Sequence, residues 1–138
     1  MIEIKNKHGQ VIYTYDGDGL RGADLSGVKL RGADLRDADL RDANLRFAFL
    51  HSADLRRANL RDANLSVADL RDADLRDADL RDADLCFADL SGAVLHKADL
   101  RDANLCDADL FGAVLRGVKL NSGQREDLIS ALGCIVTQ

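Results

Sequence analysis

The chain lacks proline and tryptophan altogether, has one methionine, and is only 4% aromatic over its 138 residues. Large rings therefore do not fill its interior, and no proline marks off its elements. No stretch approaches the ~20 apolar residues that a membrane-spanning helix needs. The opening residues, MIEIKNKHGQVIYTY, carry charge at Glu3 and Lys5 and have no continuous apolar run, so they do not read as a secretion signal. The expected location is the cytoplasm. Cysteine is scarce as well: Cys86, Cys106 and Cys134 form no CxxC pair, which argues against a disulfide framework. Charge of one sign is not in large excess either. Twenty-four acidic and 19 basic side chains leave a formal charge of -5, so a direct nucleic-acid binder and a basic membrane patch are both disfavoured.

What the chain does have is a period. Leucine occupies every position divisible by five from Leu20 to Leu120, and RDADLRDADLRDADL, Arg71 to Leu85, is one five-residue word written three times. In an α-helix a step of five turns each leucine ~140° from the last, so the leucines share no face. In a flat strand an odd step sends alternate leucines to opposite sides. The chain must bend once per five residues. Alanine and leucine two apart, as in Ala73 and Leu75, can both point inward from a short extended piece, while the other three residues lie outside and around a corner. The residue before each leucine is mostly Asp or Asn, whose short side chains bond nearby backbone and favour turns.

This A-D/N-L-x-x pattern resembles the pentapeptide repeat family over roughly residues 18 to 120. The resemblance implies an all-β solenoid, a right-handed quadrilateral parallel β-helix with four units to a coil of twenty residues and about five coils. Departures from the pattern are few: Val28 and Val118 replace the alanine, and Lys29, Phe49, Val94, Val114 and Lys119 replace the Asp or Asn.

A stacked coil leaves an open β edge at each end, which must be covered. Residues 1–17 are expected to form an N-terminal hairpin cap, with strands Ile2 to Lys5 and Val11 to Tyr15 around a turn containing Gly9. Residues 121–138 are expected to form a C-terminal cap. Its short α-helix would start at Asn121 or Ser122, bury Leu128, Ile129 and Leu132, and stop at Gly133. Cys134 to Val136 would follow as an apolar strand that completes the cap or pairs with a second molecule.

With twenty residues to a coil, residues twenty apart stack, and the sequence becomes a surface map. Arg21, Arg41, Arg61, Arg81 and Arg101 form one ladder, flanked by Asp42, Asp62, Asp82 and Asp102; each ladder is expected to neutralise the other. A second face runs Gly27, Phe47, Val67, Phe87, Asp107, with Phe49 around the adjacent corner. A contiguous outward apolar stripe is uncommon on a monomer and marks an interface. Phe47, Phe49, Val67 and Phe87 are therefore the candidate interaction surface.

Chemistry is expected to be absent. The repeated Asp-Ala-Asp pairs point outward from a convex wall with arginines between them, whereas calcium needs six to eight converging oxygens. His8, His51 and His96 fall on the hairpin and on two different faces, so no metal cluster is expected. Stacking brings Cys86 and Cys106 together, but parallel in-register Cβ atoms stay near ~4.8 Å, longer than a disulfide prefers, so free thiols are expected. No nucleophile elbow or phosphate loop appears, no cofactor is called for, and leucine and alanine ladders leave no interior cavity for catalysis. The expected role is a non-catalytic rigid scaffold or protein-interaction module, meeting a protein partner or a second copy through the stripe or the C-terminal end. The resemblance implies an alternative: some family members mimic B-form DNA and bind DNA gyrase or topoisomerase IV, protecting it from quinolones.

Overall fold

In the computed structural model, which describes residues 1–133, the five-residue period becomes a square column. Each corner is a turn in which the alanine N–H donates to the leucine carbonyl three residues earlier, as Ala73 does to Leu70 at 3.1 Å. Each side is a single extended step whose backbone reaches the coils above and below. Leu25 N–H donates to Asn44 O at 2.8 Å, and Asn44 N–H donates back to Ala23 O at 2.9 Å. Parallel bridges of this kind join residues twenty apart, from Asp24 with Asn44 to Asp99 with Lys119. The register does not slip, and the right-handed quadrilateral β-helix is the observed fold.

The core is what the spacing requires. Every leucine from Leu40 to Leu100 is fully buried, and the alanines between them are buried beside them. Truncating one such leucine to alanine would leave a cavity costing ~2–5 kcal/mol.

Both ends are covered. Strands β1 (Ile2–Lys5) and β2 (Val11–Tyr15) pair antiparallel. Their turn is held by Asn6, whose side-chain oxygen accepts the N–H groups of His8 and Gln10 at 2.9 and 3.0 Å. Gly9 takes the positive φ of 78° that this turn needs. The hairpin is joined to the first coil by backbone: Asp34 N–H donates to Lys5 O at 2.7 Å, and Asn6 bridges Ala33. Ile4 is buried against the column's upper end, with Tyr13 and Tyr15 partly buried around it.

At the lower end a 3-10 turn, Ser122–Gln124, precedes helix α1 (Arg125–Ala131). The expected start at Asn121 or Ser122 is thus a tighter turn first, because Gln124 is drawn into the column. Its amide nitrogen donates to Leu100 O and Ala103 O at 2.7 and 2.9 Å. Its carbonyl oxygen accepts from Asp102 N–H and Asn121 N–H at 3.2 and 2.8 Å. Ala131 O accepts Leu110 N–H at 2.8 Å, tying α1 to the last coil. Gly133 follows with φ of 72°. The expected strand at Cys134 to Val136 lies outside the described residues.

Candidate interaction surface

The second residue after each leucine sets what the column displays. It sits at the corner with positive φ, and fourteen described non-glycine residues adopt this conformation, from Asp37 at 58° to Asp107 at 50°. Aspartate tolerates the left-handed region through its short polar side chain; a β-branched residue there is an outlier. Val67, at φ 58°, is such a residue.

This geometry points Phe47, Val67 and Phe87 outward from one corner edge, at 49%, 40% and 59% exposure. Phe49, also about half exposed, lies just past this corner on the adjoining side, where it bridges Lys29 and Asp69. Arg46 stacks on the Phe47 ring, its guanidinium carbon 4.7 Å from the centroid. Beside Phe49 a shallow pocket of about 370 Å³ is lined by Arg31, Phe49, His51, Asp69 and Arg71.

A second apolar patch was missed by the sequence reading. Phe111 and Val114, both exposed, occupy the next face on the last coil, below half-buried Val94. The signal is in the sequence, since Val94 and Val114 both depart from the Asp or Asn position.

The charged walls are organised differently from the expected side-by-side ladders. Seven arginines turn back across the leucine to the aspartate two residues earlier, whereas Arg21 and Arg61 keep the expected pairing with Asp42 and with Asp62 and Asp82. Arg41 donates from Nε and NH2 to both oxygens of Asp39 at 2.7 and 2.6 Å, and Arg36, Arg56, Arg71, Arg76, Arg81 and Arg101 repeat this fork. The same carboxylate accepts the arginine's own backbone N–H, as at Arg81 and Asp79, 3.2 Å. The side-chain fork therefore grows from an Asx turn already required at the corner. Adjacent coils are joined by one equally tight fork, Arg57 to Asp37 at 2.7 and 2.9 Å, and by looser contacts such as Arg36 Nε to Asp54 at 3.7 Å and Arg56 Nε to Asp74 at 3.8 Å. The Arg41 guanidinium holds the Asp39 carboxyl down at about 2, and Asp79 and Asp99 are likewise lowered by Arg81 and Arg101.

On the apolar face only Asp69, forked by Arg71, is neutralised in this way. Lys29 and Arg46, near its upper end, are exposed and enter no ion pair among the described residues. At its lower end Asp107 and Asp109 are exposed; Asp109 caps the Phe111 N–H at 2.9 Å. The face thus runs from basic through apolar to acidic along the column.

Cys86 and Cys106 are both free. The hydrogen bond with Cys86, and next the Asp107 carboxylate, push the Cys106 thiol up to about 11, so it stays protonated at neutral pH. Among the described residues no three His, Cys, Asp or Glu side chains are grouped as a metal site. No described helix is long and apolar enough to cross a membrane.

The family model for pentapeptide repeats matches residues 20–57, 50–86 and 88–122. Among solved structures, a pentapeptide repeat protein from the Arabidopsis thaliana thylakoid lumen is 34% identical, over 81% of this chain and 78% of that one, with a TM-score of 0.78. A pentapeptide repeat protein from Nostoc Pcc 7120 is 35% identical over 71% of this chain and 84% of that one, with a TM-score of 0.44. QnrB1, a plasmid-mediated fluoroquinolone resistance protein, is 23% identical over 83% of this chain and 85% of that one, with a TM-score of 0.29. Among curated proteins, none matches.

Proposed function

Because the chain belongs to the pentapeptide repeat family, we propose that it acts as a rigid, non-catalytic interaction module whose contact surface is the face bearing Phe47, Phe49, Val67 and Phe87. One observation carries this reading: among the described residues the stripe is the longest run of outward apolar side chains on a column much of whose remaining surface is clamped by guanidinium–carboxylate forks. Burying such side chains against a partner recovers ~25 cal/mol per Å², whereas the clamped charges would have to be desolvated for little return. A packed column cannot close around a substrate, so recognition falls to its outer walls.

The test compares wild type with the double variant Phe47→Ser, Phe87→Ser. Both side chains project outward, so the variant should fold with unchanged circular dichroism. Light scattering across a concentration series, together with affinity capture from cells of the source organism, should show a self-complex or a co-purifying protein that the variant loses. Identical behaviour of the two proteins in both assays would remove the stripe as a contact surface.

The DNA-mimic reading gains no such support. Mimicry needs an unbroken negative field, and seven arginine forks interrupt this one along a column only ~24 Å tall at strand spacing. DNA gyrase supercoiling is expected to proceed unchanged at high concentrations of this protein.

A further inference from the structure

We infer that the partner of this face is a second copy of the same chain, packed antiparallel about a two-fold axis at the level of Val67; the inference rests on the stripe being a contact surface. The argument comes from how charge and apolar groups are distributed over the five coils.

Down the corner edge the residues are Gly27, Phe47, Val67, Phe87 and Asp107, and down the adjoining side they are Lys29, Phe49, Asp69, Asp89 and Asp109. The bridges Lys29 with Phe49, Phe49 with Asp69, Asp69 with Asp89 and Asp89 with Asp109 fix the second set as one vertical column. A two-fold axis across the column, through the middle coil, brings each residue opposite the one equally far from the centre. Phe47 then meets the second copy's Phe87, Val67 meets its own equivalent, Phe49 comes opposite the second copy's Asp89, and Lys29 meets the second copy's Asp109. Lys29 and Asp109 lie two coils, or ~10 Å, above and below the centre, so both salt contacts form at once. This is the self-complementarity that an isologous interface demands.

The opposite arrangement fails on the same map. Two columns packed side by side in parallel would set Lys29 against Lys29 and Asp109 against Asp109, which is repulsive. In the antiparallel pair the only like charges that meet are the two copies of Asp69, and each already has both oxygens engaged by its own Arg71 at 2.8 and 2.7 Å. Arg46, lying over Phe47, comes with it to the level of the second copy's Phe87 and Asp89.

The contact is small. An edge ~24 Å tall offers less than the ~800 Å² per partner of a standard interface, so a dissociation constant of ~10–100 μM is expected. The Lys29–Asp109 contacts are at the rim, so salt should weaken the dimer further.

Sedimentation equilibrium of wild type, Lys29→Glu, Asp109→Lys and an equimolar mixture of the two variants tests this. Lysine already occupies the position equivalent to 109 at Lys29 and Lys119, so the fold accepts the change. Each single reversal should weaken self-association ~10-fold, since its homodimer faces two like-charge contacts. The mixture should recover it, because Glu at 29 of one variant meets Lys at 109 of the other while the remaining Lys29 and Asp109 also pair. A mixture that stays as weak as its components overturns the antiparallel arrangement, and a wild type that is monomeric at 1 mM, well above the ~10–100 μM expected, overturns self-association altogether. Neither result touches the broader reading, which fails only if Phe47→Ser, Phe87→Ser binds everything the wild type binds.

Discussion

Gln124 is the buried polar side chain on which the lower end of the column rests, at 8% exposure, and replacing it with leucine isolates its contribution. Leucine has similar volume, so the substitution leaves no cavity. It removes four hydrogen bonds, two given to Leu100 O and Ala103 O and two received from Asp102 and Asn121 N–H. At ~0.5–1.5 kcal/mol net for each, the sum is ~2–6 kcal/mol. The lower figures apply, since water entering at the column's end can satisfy some of these groups, and a loss of ~2–3 kcal/mol is expected. In a repeat column each coil touches only its neighbours, so the damage should stay local. Hydrogen exchange should accelerate at Asp102, Asn121 and the last coil, with the amides between Leu40 and Leu60 unaffected. Urea unfolding should show the loss as a fraying lower end or a lower midpoint. Gln124→Glu should be worse at neutral pH, since a carboxylate would face two carbonyl oxygens. Unchanged exchange at Asp102 and an unchanged urea midpoint in Gln124→Leu would refute the idea that this side chain seals the column.

Val67→Asn should raise stability by ~0.5–1 kcal/mol by relieving a β-branched residue at φ 58°; a lower melting temperature than wild type would show that the corner is not strained. Acid should unfold the protein late. Asp39 sits at about 2 beside Arg41, below the ~3.9 of an unfolded aspartate. Its contribution, and that of the similarly lowered Asp79 and Asp99, is therefore complete above ~pH 4 and lost as pH falls toward 2. Urea midpoints measured from pH 7 to 2 should be level at first and then drop; a steady decline beginning near pH 6 would mean that other groups govern acid stability.

The fold was legible because one residue type kept one spacing for a hundred residues, and only a chain that bends every five residues lets Leu20 through Leu120 share an interior. The hairpin was legible for a similar reason: alternating strands of four and five residues flank a turn with Gly9. Three features were not. The arginine forks were misread because ladder reasoning pairs neighbours such as Arg41 and Asp42, while the Asx turn had already aimed Asp39 at the backbone of residue 41. Gln124 stood in an irregular segment where nothing in the sequence marks a polar side chain as buried. The left-handed corners were hidden because glycine, their usual marker, fills them only at the two ends of the column and at Gly92, whereas Asp, Ser, Arg, Lys, Phe and Val fill the rest.

Those corners connect the fold to the proposed role. A residue with positive φ at a corner points its side chain away from the core, so packing does not select it, and only the local backbone cost and solvent remain. Aspartate answers both: it tolerates the conformation and it is soluble. Phe47, Val67 and Phe87 answer neither within the monomer, since each carries the backbone cost and exposes apolar surface. Strain persists where something compensates for it. An apolar surface brought against this edge would supply that compensation at all three positions together, and a second copy turned about Val67 presents the same three side chains in the reverse order.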